Sequence, residues 1–227
     1  MTPNLPRLER ERLLALLLER KRRTKLRQRL TEYAPYPKQL EFHAAGKEHR
    51  ERLFMAGNQL GKSVAGAAEW GMHLTGRYPD WWPGRRFEKP VRFWAAGVTA
   101  ESTRDNPQRL LIGPPAQASE WGTGYIPGLD FAGPPSRALG IRDLIDTVTV
   151  KHLSGGNSTL SFKSYEKGRE KWQGETLDGV WFDEEPPLDI YTEGLTRTNA
   201  TGGMVVVTFT PLLGMSEVVR LFLSEAN

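Results

Sequence analysis

Residues 56–63 read AGNQLGKS, an arrangement of Gly, Lys and Ser suited to holding phosphates. The general phosphate loop is G-x-x-x-x-G-K-[S/T], and Ala56 stands at its first Gly, a departure from the strict pattern. The backbone N–H groups of Ala56, Gly57, Asn58, Gln59, Leu60 and Gly61 can converge on phosphate oxygens. Gly61 permits close backbone approach, Lys62 reaches the β and γ phosphates, and the Ser63 hydroxyl coordinates Mg²⁺. A bare Gly-Lys-Ser could be a chance strand-to-helix turn. Here an apolar segment, 52–56, reads as a buried strand before it, and an Ala-rich segment, 64–74, reads as a helix after it, which is the context the chemistry requires.

A second chemical segment lies downstream. Val180-Trp181-Phe182 is a short apolar strand ending in Asp183-Glu184-Glu185. A carboxylate at such a strand end can hold Mg²⁺, and the next one can orient and deprotonate an attacking water. Asp183 is therefore the metal residue and Glu184 the general base, while Glu185 suits a solvated or structural role. Pro186 and Pro187 end the segment. A separate catalytic carboxylate beside the metal Asp points to an ATPase more than to a GTPase switch. A third strand, 204–209, runs into Thr208-Phe209-Thr210-Pro211. Hydroxyls of Thr208 and Thr210 beside a γ-phosphate could sense it; ordinary β-favouring Thr is the alternative.

The elements that must position these residues alternate. Strands are expected at 52–56, 91–97, 147–153, 159–164, 180–182 and 204–209, with a hairpin across Ser154-Gly155-Gly156-Asn157. Helices are expected at 7–30, from Tyr36 toward Lys47, at 64–74, and at 99–111 with Thr99 as N-cap. Residues 113–140 are rich in Gly and Pro and read as an insertion. The alternation favours an α/β sheet covered on both faces. With 227 residues the chain can bury a substantial core, and 38% hydrophobic and 26% charged residues are ordinary for a soluble protein. No apolar run is long enough for a bilayer, and no cysteine is present, so disulfides, Cys-based zinc sites and thiol nucleophiles are excluded.

The net charge of +4 is unevenly spread. Residues 1–31 hold ten Lys/Arg against three Glu, whereas the rest of the chain has a small acidic excess. The division expected is a basic N-terminal helical arm, 1–31, and a P-loop ATPase domain, 32–227. The arm could contact nucleic acid or an acidic partner; a solvated helix face is the other reading.

Several strings together resemble the large terminase subunits of tailed double-stranded DNA phages, with the closest likeness to short-tailed headful-packaging phages. They are FMAGNQLGKS (54–63), GREKWQGETLDGVWFDEEPP (168–187), GLTRTN (194–199) and TFTPLLGMS (208–216), and YAPYPKQLEF and LTGRYP also fit. The likeness extends over most of residues 33–222 and is weakest in the arm and at 113–140. It implies a RecA-like P-loop NTPase fold of the ASCE type, with a mostly parallel central sheet, using ATP and Mg²⁺. It further implies a homo-oligomeric ring on the portal protein of a procapsid, a small terminase subunit that delivers DNA, and force on double-stranded DNA. The expected location is the cytoplasm of an infected bacterium, with no membrane partner.

The resemblance also implies that Gln39 packs near the adenine and that 208–211 is a coupling segment. Many terminases use an Arg just before the Gly preceding the acidic strand as a trans-acting finger. Gln173 stands there, before Gly174, so that role does not carry over. Arg169 is the nearest replacement and Arg104 a second candidate, with a surface salt bridge as the bland reading for either. The family's nuclease domain would lie beyond Asn227, and the chain is expected to be an isolated ATPase domain. A superfamily-2-like helicase would share the phosphate loop, acidic strand and Thr-containing third segment. A non-catalytic nucleotide-binding module should have lost Lys62, Asp183 or Glu184, and all are intact.

Overall fold

A computed structural model describes residues 6–211 and 216–224. Seven strands form one sheet in the order β1-β7-β6-β2-β5-β4-β3. They are β1 (Glu51–Met55), β2 (Arg92–Gly97), β3 (Ser136–Arg137), β4 (Ile145–Lys151), β5 (Asn157–Ser164), β6 (Gly179–Asp183) and β7 (Met204–Phe209). The five strands from β1 to β5 in that order are parallel, and β4 and β3 add antiparallel pairs at one edge. β7 stands between β1, the strand feeding the phosphate loop, and the acidic strand β6.

The helices are α1 (Arg7–Arg27), α2 (Pro37–Ala45), α3 (Lys62–Thr75), α4 (Ala100–Thr103), α5 (Arg109–Ile112), α6 (Leu188–Asn199) and α7 (Glu217–Ser224). The single helix expected at 99–111 is divided. The Thr99 hydroxyl accepts from Ser102 N at 3.1 Å, as an N-cap should, but a π turn spans Arg104–Gln108 around Pro107. Proline lacks the N–H that an α-helical ladder needs, and the wider turn accommodates it. Segment 113–140 contains two short 3₁₀ turns and β3, and it buries Tyr125 and Ile126.

The central parallel strands are apolar on both faces because helices cover both. On β6 and β7 alternation sends Trp181 and Val206 into the core beside α3, and Val180, Phe182, Val205 and Val207 into the core that includes α6 and α7 residues. The same alternation puts Asp183 and Thr208 on the α3 face. Helices α6 and α7 are not among the elements expected from the sequence. Gly194 lets α6 close on Phe182, since a Cβ there would sit 2.7 Å from the ring, and Arg50 donates to Asn199 and Thr198 at its far end. GLTRTN is thus a packing segment in this fold.

Candidate active site

Parallel strands bring their carboxyl ends to one edge, where open α/β sheets place ligands. Met55 pairs with Phe209, and Thr208 pairs with Asp183. The next residues of the three strands are therefore the phosphate loop, Thr210 and Glu184. Loop and helix then turn sharply. Gln59 and Gly61 have φ of 61° and 78°, and α3 begins at Lys62. The first N–H groups of α3 have no intrahelical partner and carry the positive end of a helix dipole, an anion site by construction. Lys62 is buried, and its Nζ donates to Gly57 O at 2.8 Å, which folds the ammonium back over the loop.

The Ser63 hydroxyl donates to Asp183 Oδ1 at 2.6 Å, joining the phosphate loop to the acidic strand. Thr208 donates to the same oxygen at 2.9 Å, and Trp181 Nε1 donates to Thr208 Oγ1 at 2.8 Å. Burial pushes the Asp183 carboxyl up to about 6, against the hydrogen bonds of Ser63 and Thr208 and the charge of Lys62. A buried carboxylate raised in this way is short of positive charge. With one carboxylate, one hydroxyl and no cluster of three acidic, His or Cys residues among the described residues, the donors suit a hard cation that also takes phosphate and water oxygens. Mg²⁺ fits that donor set.

Glu184 has φ 71°, a left-handed conformation that costs a non-glycine residue energy. Backbone bonds hold it there: its N–H donates to Thr208 O at 2.8 Å, and its carbonyl accepts from the Tyr165 hydroxyl at 2.7 Å. Its carboxylate accepts from Thr210 N at 3.4 Å, and Thr210 Oγ1 donates to Asn58 Oδ1 at 2.9 Å. Asp183, Glu184, Ser63, Thr208 and Thr210 are thus linked through hydrogen bonds. Glu185 faces elsewhere, and burial raises its pKa, against the lowering effect of the Val219 backbone in α7.

Gln39 is buried and both ends of its amide are used. Nε2 donates to Gly61 O at 2.8 Å, and Oε1 accepts from Tyr36 N at 2.8 Å. It ties α2 to the phosphate loop, and a Cβ at Gly61 would meet Gln39 Nε2 at 2.7 Å. Arg169 is paired with Glu193 at 2.9 Å, with its side chain 60% exposed. Arg104 pairs with Asp105 at 2.8 Å. Sequence reasoning misses Trp181 and Tyr165, whose donors orient the site from behind. It also misses a buried network in which Glu69 of α3 meets Arg52, His43 and His73. A Glu four residues before a His in an otherwise apolar helix is the available signal.

Residues 53–226 match the family described as terminase large subunit, T4likevirus-type, N-terminal. The chain belongs to that family. It is similar to the terminase large subunit of Salmonella phage P22, at 47% identity over 215 residues, covering 87% of this chain and 43% of that protein. It is also similar to the terminase large subunit of Enterobacteria phage LP7, at 30% identity over 219 residues, covering 87% of this chain and 44% of that protein. The chain thus spans less than half the length of these curated relatives. Among solved structures it is similar to the large terminase of a thermophilic bacteriophage, at 15% identity and TM-score 0.49, covering 84% of this chain and 39% of that one. An ADP complex of the same thermophilic phage protein gives 17% identity and TM-score 0.47, covering 83% and 38%.

Proposed function

We propose that this chain is the ATPase motor of a large terminase subunit, coupling ATP hydrolysis to movement of double-stranded DNA into a procapsid. The observation that carries the reading is the joining of Ser63 and Thr208 on one oxygen of Asp183, with the Glu184 carboxylate on the adjacent strand end. The loop N–H groups and Lys62 bind the β and γ phosphates. Asp183 and Ser63 would hold Mg²⁺, which supplies charge neutralisation of the phosphates when bound. Glu184 orients the attacking water and takes its proton. Thr210 bridges the Glu184 carboxylate and Asn58 of the loop, so a change at the γ-phosphate can reach the third strand. Membership of the terminase family favours this reading over a helicase. Among the described residues no helix is long and apolar enough to cross a membrane. The partners in this reading are a portal protein, a small terminase subunit and further copies of the chain in a ring, at work in the cytoplasm of an infected bacterium.

Two substitutions test it. Lys62→Ala removes the point charge on the phosphates and should abolish calorimetric binding of ATP–Mg²⁺. Glu184→Gln should keep ATP affinity while single-turnover hydrolysis falls by about 10² to 10⁴. Wild-type binding in the first variant, or wild-type turnover in the second, would defeat the assignment.

A further inference from the structure

A non-glycine residue keeps a left-handed conformation only where its surroundings over-determine it, and Glu184, at φ 71°, is such a residue. Its N–H is fixed from β7, through Thr208 O at 2.8 Å. Its carbonyl is fixed by Tyr165, which follows the last residue of β5, two strands away from β6 with β2 between. The Tyr165 hydroxyl reaches across the end of β2 and lies 3.5 Å from Ala96 O, 3.2 Å from Asp183 O and 2.7 Å from Glu184 O. All three neighbours are acceptors and the phenol has one proton, so the shortest contact, to Glu184 O, takes it. Successive carbonyls of an extended strand point to opposite sides. Asp183 and Glu184 can therefore present both of theirs to one hydroxyl only because the chain leaves the strand at Glu184.

We propose that Tyr165 is the positioning residue for hydrolysis: its hydroxyl locks the Glu184 backbone in the left-handed turn from which the Glu184 carboxylate meets Thr210 and the attacking water. The proposal rests on the reading of Glu184 as the general base. Tyr165 is itself rigidly held. Its ring is buried beside Trp172 and Phe182, at centroid distances of 6.2 and 5.9 Å. The next residue, Glu166, donates its N–H to Val98 O at 3.2 Å and accepts from Ala100 N at 2.7 Å through its carboxylate. Burial and the charges of Asp183 and Glu184 keep the phenol well above its ordinary pKa, so it stays a donor. Without that bond the peptide after Glu184 has room to relax, since a cleft of about 470 Å³ opens between Val98, Tyr165, Pro186 and Pro187. Relaxation toward an ordinary φ would swing the carboxylate off the line of attack while leaving the phosphate loop untouched.

Tyr165→Phe keeps the ring and removes the donor. Single-turnover hydrolysis by the full chain should fall about ten- to a hundredfold, as for a reacting group displaced by about 1 Å, while calorimetric affinity for ATP–Mg²⁺ changes less than about twofold. A tyrosine with only a structural role would lower the thermal midpoint and spare the rate, or weaken rate and affinity together; either result overturns the proposal. Added to Glu184→Gln, Tyr165→Phe should change the residual rate less than about twofold, because an absent base cannot be displaced. Losses that multiply would overturn it. A third readout is free of hydrolysis. Glu184→Gly should melt about 2–4 °C above Glu184→Ala, since glycine alone takes this φ without strain, and the gap should close in the Tyr165→Phe background. A gap that persists there, or equal midpoints with Tyr165 in place, would defeat the proposal, the latter even if Tyr165→Phe proved insoluble. Glu184→Gln alone tests the underlying reading: full turnover removes the base itself, whereas blocked turnover beside wild-type turnover in Tyr165→Phe removes only the role of Tyr165.

Discussion

The Thr208 hydroxyl has one proton, and its neighbours decide where it goes. The Trp181 indole can only donate, so Thr208 accepts from it and must give its own proton to Asp183. Both hydroxyls at Asp183 Oδ1 then stabilise the charged carboxylate against its burial. Thr208→Val keeps the shape and removes both bonds. It leaves the indole N–H and part of the carboxylate unsatisfied, at a cost of about 1–3 kcal/mol in chemical denaturation. It also removes a hydrogen bond that holds the Asp183 pKa down, so nucleotide binding should need more Mg²⁺. Thr208→Ser should restore the wild-type Mg²⁺ dependence. Normal Mg²⁺ dependence in Thr208→Val would detach Thr208 from the metal role proposed for Asp183 and leave the sensing role. Sequence alone leaves Thr208 between a sensor and an ordinary strand residue, and the register opposite Asp183 gives its hydroxyl a partner.

Among the elements, the site depends on how closely α3 lies on the sheet. Gly66 makes that approach possible: a Cβ there would meet the Trp181 indole at 2.7–2.9 Å. Gly66→Ala is normally favourable in a helix, by about 0.5–1 kcal/mol. Here it should instead destabilise by about 1–3 kcal/mol, because overpacking against a fully buried indole forces α3 away. Ser63 sits in the first turn of that helix, so its 2.6 Å bond to Asp183 should lengthen and turnover should fall along with stability. A stabilised Gly66→Ala with full activity would show that helix and sheet have slack. The helix itself is legible from its Ala-rich pattern. Its distance from β6 is not, since that distance is set by an indole more than a hundred residues away.

For the molecule as a whole, the Glu69 network joins β1, α2 and α3 in one buried unit. Desolvation favours the neutral acid, but Arg52 and the hydrogen bonds from His43 and His73 outweigh it and hold the Glu69 carboxyl well below its ordinary 4.5. A depressed carboxyl contributes stability above its unfolded pKa, lost as pH falls below 4.5 toward the folded value. Desolvation lowers His73 below its ordinary 6.5, and a depressed His likewise loses stability as pH falls through 6.5, because the unfolded chain takes up a proton first. Unfolding free energy should therefore decline from about pH 6.5 downward and more steeply below 4.5. Glu69→Gln should cost about 3–5 kcal/mol at neutral pH, since Arg52 stays buried and unpaired, and should flatten the acid limb. An acid limb of unchanged slope would remove Glu69 from this account. Assembly makes a separate prediction. If Arg169 leaves Glu193 to reach a neighbour's γ-phosphate, Arg169→Ala should bind ATP normally but lose an assembly-dependent rate of about 10³ to 10⁵. Mixing Arg169→Ala with Glu184→Gln subunits should then restore part of the activity. Full activity of Arg169→Ala alone would reduce Arg169 to a surface ion pair.

Chemistry that depends on local order is legible in the chain alone: a strand, a tight loop with Gly61-Lys62-Ser63, and an apolar strand ending in Asp183-Glu184. Such segments can be read because backbone amides, one ammonium and one carboxylate do their work within a few residues of a strand end. The α/β alternation is legible for the same reason, since period-2 and helical patterns are local. Relations across long stretches of chain wait on folding. Strand order brings Ser63 to Asp183, and parallel register puts Trp181 behind Thr208. Packing occupies the Gln39 amide with Gly61 and sets two arginines of the basic arm beside the phosphate loop. A pattern of residue types cannot report these pairings, because each depends on which non-local surfaces close on one another, and burial then sets the partner and charge of every polar atom trapped between them.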